Sequence, residues 1–93
     1  EPGPFDDAAV LRVVRANQTL VRRTCWDAAR DLTRADVTVH LQIGADGHVI
    51  SAAATGSDAT VGACVARVLG AAAFPAPGET KSVDVPFHFV RDP

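Results

Sequence analysis

Residues 37–43, "VTVHLQI", constrain the fold more than any other stretch of the chain. Val37, Val39, Leu41 and Ile43 fall on one side of an extended backbone, and Thr38, His40 and Gln42 on the other. A period of two with one apolar side is the pattern of a strand with one face on a core and one in water. Such a strand needs neighbours along its edges and a layer over its apolar face. The first neighbour follows at once. "GADG", residues 44–47, supplies a tight turn with glycines suited to positive φ, and "HVISAAATG", residues 48–56, runs back. Its parity slips: Val49 fits one phase, whereas Ile50, Ala52 and Ala54 fit the other. A bulge near Ile50 reconciles the two. A third alternating run, "SVDVPFHFV" at 82–90, sends Val83, Val85, Phe87 and Phe89 inward.

Two helices are available as the covering layer. From about Asp6 to Leu32, apolar residues step by three and four through Val10, Val13, Val14, Val21, Cys25, Ala28, Ala29 and Leu32. Asp6 and Asp7 suit the positive end of that helix. Its opposite face carries Arg12, Arg15, Thr19, Arg22, Arg23 and Arg30, and a polar turn over 31–36 leads into the first strand. In the second helix Ser57 is the expected cap, with Asp58 in the first turn. Val61, Cys64, Val65 and Val68 form its buried stripe. Gly70 weakens its last turn, Pro75 and Pro77 stop it, and Phe74 plugs the core where the chain turns.

The order is therefore α-β-β-α-β: one α+β domain over 6–93, with residues 1–5, "EPGPF", as a linker remnant. A right-handed helical crossover favours the third strand parallel to the second. The first strand then lies between them, antiparallel to both, in the order 2-1-3. Both helices pack on the apolar face, and the third strand is a free edge.

Charge and chemistry narrow the function. A net charge of −2 carries no electrostatic footprint for nucleic acid. The wet face, with Thr38, His40, Gln42, Asp84 and His88, lacks the aromatics and basic residues of an RNA-binding sheet. Ser51, Ser57 and Ser82 sit in no nucleophile elbow, "GADG" is too short to cradle a phosphate, and the carboxylates are scattered. We therefore expect no enzyme, no cofactor and no metal. Zinc needs about four ligands, whereas His40 and His88 lie on the wet face, His48 beyond the turn and the cysteines on the opposite face. His40 and His88 are cross-strand neighbours if the register allows. No apolar run approaches the ~18 residues of a membrane span.

The ordered motifs resemble the carboxy-terminal domain of TonB-family proteins, and within it the AgmX/PglI-type domain of gliding-motility machinery. The residues that carry the resemblance are Cys25-Trp26 at the end of a helix, "VTVHLQIGADGHV", "ACV" at 63–65, "FPAP" at 74–77 and "VPFHF" at 85–89. Together they cover roughly residues 7–90. One position departs: the family usually has Trp two places before the Phe-Pro, where this chain has Ala72.

The resemblance implies a periplasmic protein–protein interaction domain, carried by a protein anchored in the inner membrane of a Gram-negative bacterium. Its partner is an extended peptide of an outer-membrane or periplasmic protein, paired with the last strand. An unpaired edge invites that mode on physical grounds too. Pro86 is tolerated there if its missing amide faces outward, which makes Asp84, Pro86, His88 and Val90 the expected partner-binding positions. The alternatives are that Pro86 only guards the edge, or that the edge serves a structural module by pairing two copies into a homodimer. The oxidising compartment implied by the resemblance favours a disulfide between Cys25 and Cys64, whose helices share one face of the sheet. Two separate buried thiols are the other possibility. The arginine face of the first helix is either a solvated surface or a contact surface for protein or lipid. Trp26 either covers the margin of the core or, if exposed, marks an interface.

Overall fold

A computed structural model describes residues 6–90. The expectation of a linker at residues 1–5 lies outside the described residues. Helix α1 spans Asp7–Val21 and continues into a wider π-helical turn, Arg22–Trp26. Strands β1 (Arg34–Ile43) and β2 (Val49–Gly56) follow, then helix α2 (Ala59–Gly70) and strand β3 (Lys81–Val90). The sheet order is β2-β1-β3, with β1 antiparallel to both neighbours, so β2 and β3 run parallel to each other as the crossover argument requires.

The alternation in β1 is realised fully. Ala35, Val37, Val39, Leu41 and Ile43 are all buried, and the strand begins at Arg34, three residues ahead of the expected Val37. The bulge falls where the parity slip put it. Gln42 pairs with Ser51 and Ile43 with Val49, leaving Ile50 as the extra residue, pushed out to solvent. In the hairpin only Gly47 has positive φ, at 95°. The Gly47 amide donates to the Gly44 carbonyl (2.9 Å). Its own carbonyl accepts from the Phe74 amide (3.0 Å), which ties the turn to the end of the α2–β3 connection. A Cβ at Gly47 would collide with the carbonyl oxygen of Phe74, so the position is glycine for space as well as for φ.

Three local expectations are corrected. The first helix does not run to Leu32. Its backbone widens at Arg22, where the Asp27 amide reaches back five residues to the Arg22 carbonyl (2.8 Å), and i→i+3 turns follow, from Ala29 to Trp26 and from Leu32 to Ala29. A π turn brings residues five apart nearly into line, so Val21, Cys25 and Trp26 all face the core at 1%, 4% and 2% exposure. The cap of α2 is Asp58, whose carboxylate accepts from the Val61 amide (2.8 Å). Ser57 instead bonds across to β1: its hydroxyl accepts from the Asp36 amide (3.0 Å), and its amide donates to the Asp36 carbonyl (2.9 Å). Finally, α2 ends at Gly70, ahead of the prolines, and His48 forms a bridge with Ala73 before Phe74 turns into the core.

The core lies between the sheet and the two helical layers. α2 buries Val61, Gly62, Val65, Ala66 and Leu69 against β2 and β1, leaving Cys64 and Val68 half-buried. Gly62 allows the close approach, since a side chain there would press on Ala54. Val85, Phe87 and Phe89 of β3 are buried and Val83 is half-buried. Trp26 stacks on Phe89 with ring centroids 5.3 Å apart, so it closes the core margin. Cys25 and Cys64 are joined by a disulfide, with Cα atoms 5.6 Å apart, linking the π turn to α2. Ala72 is half-buried against the same core, in the loop after α2.

Candidate protein-docking edge

Among the described residues β3 is an outer strand of the sheet, hydrogen-bonded to β1 alone. β2 forms the other rim; α2 packs directly beneath it, and its margin is lined by alanines such as Ala52, Ala54 and Ala63. The β3 rim is different. α1 stands back from it, and the gap is an open trough of about 510 Å³ between Arg15, Gln18 and Arg22 on the helix and Pro86, His88 and Phe89 on the strand. A second depression of about 280 Å³ continues it toward Asp7, Val83 and Asp84.

The register sets what this rim presents. Pro86 stands opposite Thr38 in the middle of a ten-residue strand. Proline persists there only where no amide is owed to the neighbouring strand. With a period of two, the amides of Asp84, His88 and Val90 are then the ones turned to the open side, with the gap at Pro86. All four of these residues are exposed. An extended segment laid along β3 finds backbone donors and acceptors on either side of that gap.

The polar face of the sheet ties β3 to β1 through two mirror-related pairs. His40 lies opposite Asp84 and donates from Nδ1 to its carboxylate (2.7 Å), while Nε2 meets the Thr55 hydroxyl (3.1 Å). His88 lies opposite Asp36 and donates from Nδ1 (2.8 Å). The two histidines are therefore not cross-strand neighbours; each faces an aspartate, because the register sets the Thr38–Pro86 pair between them. The His88 hydrogen bond, helped by the charge of Arg34, holds the Asp36 carboxyl below its usual value. At the hairpin, the backbone and side chain of His48 do the same for Asp46. Among the described residues no three of His, Cys, Asp and Glu gather as a metal site would require, and no helix is long and apolar enough to cross a membrane.

Sequence reasoning singled out Asp84, Pro86, His88 and Val90, and the fold brings them to one rim. The arginine face of the first helix, with Arg15 and Arg22, was legible as a solvated or contact surface, but its place as the wall of a trough beside β3 was not. The signal was present in the spacing of Leu11, Arg15, Gln18 and Arg22, which repeats by four, three and four along one side of a helix. No family model, curated protein or solved structure matches this chain.

Proposed function

We propose that this domain is a periplasmic protein–protein interaction module that captures an extended peptide of an envelope partner along β3. The observation that carries this reading is the position of β3: an outer strand whose free side, among the described residues, opens onto a trough instead of being covered by a loop. A visiting strand would lie about 4.8 Å from β3 and extend the sheet to four strands, with main-chain hydrogen bonds supplying affinity. Asp84, His88 and Val90 supply the outward groups, and Pro86 punctuates them. The resemblance to TonB-family carboxy-terminal domains, and to the gliding-motility type in particular, supports the same mode and a parent protein anchored in the inner membrane that transmits force or signal across the periplasm. The Cys25–Cys64 bridge supports an oxidising compartment.

The test is a titration of the isotope-labelled domain with an uncharged probe peptide of alternating valine and threonine. Edge capture shifts the amide resonances of Asp84, His88 and Val90 and slows their hydrogen exchange. Perturbation confined to α1, α2 or β2 sinks the reading. Light scattering across a concentration series separates the alternative role, self-assembly: a dimer that survives at low micromolar concentration assigns the edge to a second copy.

A further inference from the structure

The trough beside β3 is electrically polarised along its length. One stripe of α1 and the first residue of the π turn face it, through Asp7, Leu11, Arg15, Gln18 and Arg22. Asp7 lies at the end where β3 contributes Asp84; Arg22 lies at the end where β3 contributes His88 and Phe89. Among the described residues neither Arg15 nor Arg22 is paired with a carboxylate, and both are exposed. Asp7 supplies the carboxylate of this helix stripe at the opposite end, whereas the Asp84 carboxylate is held by His40 on the polar face of the sheet. Between the two ends, Leu11 is half exposed (50%) and presents apolar surface.

We infer that the trough selects a charge-polarised extended peptide, with acidic side chains toward Arg15 and Arg22, apolar ones over Leu11, and a basic or neutral end beside Asp7. This rests on the edge-capture reading above. A strand added to β3 turns every second side chain to the core face of the sheet, which is where α1 stands. Fifteen helical steps from Asp7 to Arg22 cover roughly 22 Å, the length of about seven extended residues. The occupant is thus a heptad-length segment whose charge order fixes its direction: acidic near the amino terminus if it runs antiparallel to β3, near the carboxy terminus if parallel. The arginine face of α1, acidic protein notwithstanding, then has a partner of opposite sign.

Three nine-residue probes on a valine–threonine frame test this. One is uncharged, one carries two glutamates at its amino end and a lysine at its carboxy end, and one has that order reversed. The preferred polarised peptide is expected to bind about tenfold tighter than the uncharged one at low salt, as two partly exposed ion pairs allow. The advantage shrinks with salt. A spin label at its acidic end should broaden Arg22, His88 and Phe89 and spare Lys81–Val83. Arg15→Glu with Arg22→Glu, both on exposed positions, should abolish the preference for the acidic end while leaving uncharged-peptide shifts on β3 intact. If all three probes shift β3 equally, charge selection is refuted and edge capture survives. If the acidic probe moves α1 but not the β3 amides, or none binds, both readings fall. Sedimentation with phosphatidylglycerol vesicles, lost in the same double variant while no peptide binds, would assign the arginines to a membrane surface and overturn the inference.

Discussion

Removing the Cys25–Cys64 bridge is the sharpest perturbation of this fold. The cysteines are 39 residues apart in sequence, so the bond closes a loop holding α2's start, the whole hairpin and β1. Chain-entropy arguments assign a loop of that size about 4 kcal/mol. A domain of this length has ~5–14 kcal/mol in total, from roughly 0.05–0.15 kcal/mol per residue. The bond is therefore a large fraction of what holds the native state. The Cys25→Ala/Cys64→Ala variant, compared with oxidised and reduced parent, should show a fall in unfolding free energy of about 3–4 kcal/mol by urea titration, with a slightly larger m-value because the unfolded chain expands. The melting temperature should drop by roughly 15–30 °C, at 4–8 °C per kcal/mol. The single tryptophan reports the same event locally, because Trp26 adjoins Cys25 and stacks on Phe89. Its emission should shift to the red in the reduced form at denaturant levels where the oxidised form is still native. If variant, reduced and oxidised proteins unfold within about 1 kcal/mol of one another, the entropic account of this staple is wrong.

Truncating Trp26→Ala should cost about 3–5 kcal/mol by urea-monitored circular dichroism, as a fully buried aromatic is lost with its ring contact to Phe89. Gly47→Ala combines positive φ with a collision at Phe74, and a loss of at least about 2 kcal/mol is expected, with exchange protection falling first at the Phe74 amide. Asp58→Ala removes the cap of α2 and should lower stability by about 1 kcal/mol in the same assay. Asp36 has a depressed pKa in the folded state, so its contribution is complete above the unfolded carboxylate value near 3.8 and disappears as pH falls through the folded one. His88→Ala should raise the Asp36 titration midpoint toward the ordinary value in carboxyl-resolved NMR; an unchanged midpoint would refute the cross-strand hydrogen bond as its cause.

What the sequence determined by itself is what short-range periodicity can encode. The alternation of β1, the turn at Gly47, the extra residue at Ile50 and the inward phenylalanines of β3 all follow from neighbours within a few positions. From those elements and the handedness of a crossover, the strand order and the position of β3 at the rim were legible, whereas the pattern left Cys25 and Cys64 either bridged or as separate buried thiols, and the structure joins them. Tertiary structure decided the rest. The π turn at Arg22–Trp26 has no local signature, and it lies where Cys25 joins α2 and Trp26 stacks on Phe89, contacts made with distant segments. Ser57 lost the cap to Asp58 because its hydroxyl and amide are drawn to Asp36 across the sheet. The pairing of each histidine with an aspartate needed the β1–β3 register, which has no local signature. The polarity of the trough likewise arose only when packing set Asp7 beside Val83 and Val85 and Arg22 beside Phe89, because charge along a helix acquires meaning from what lies opposite it.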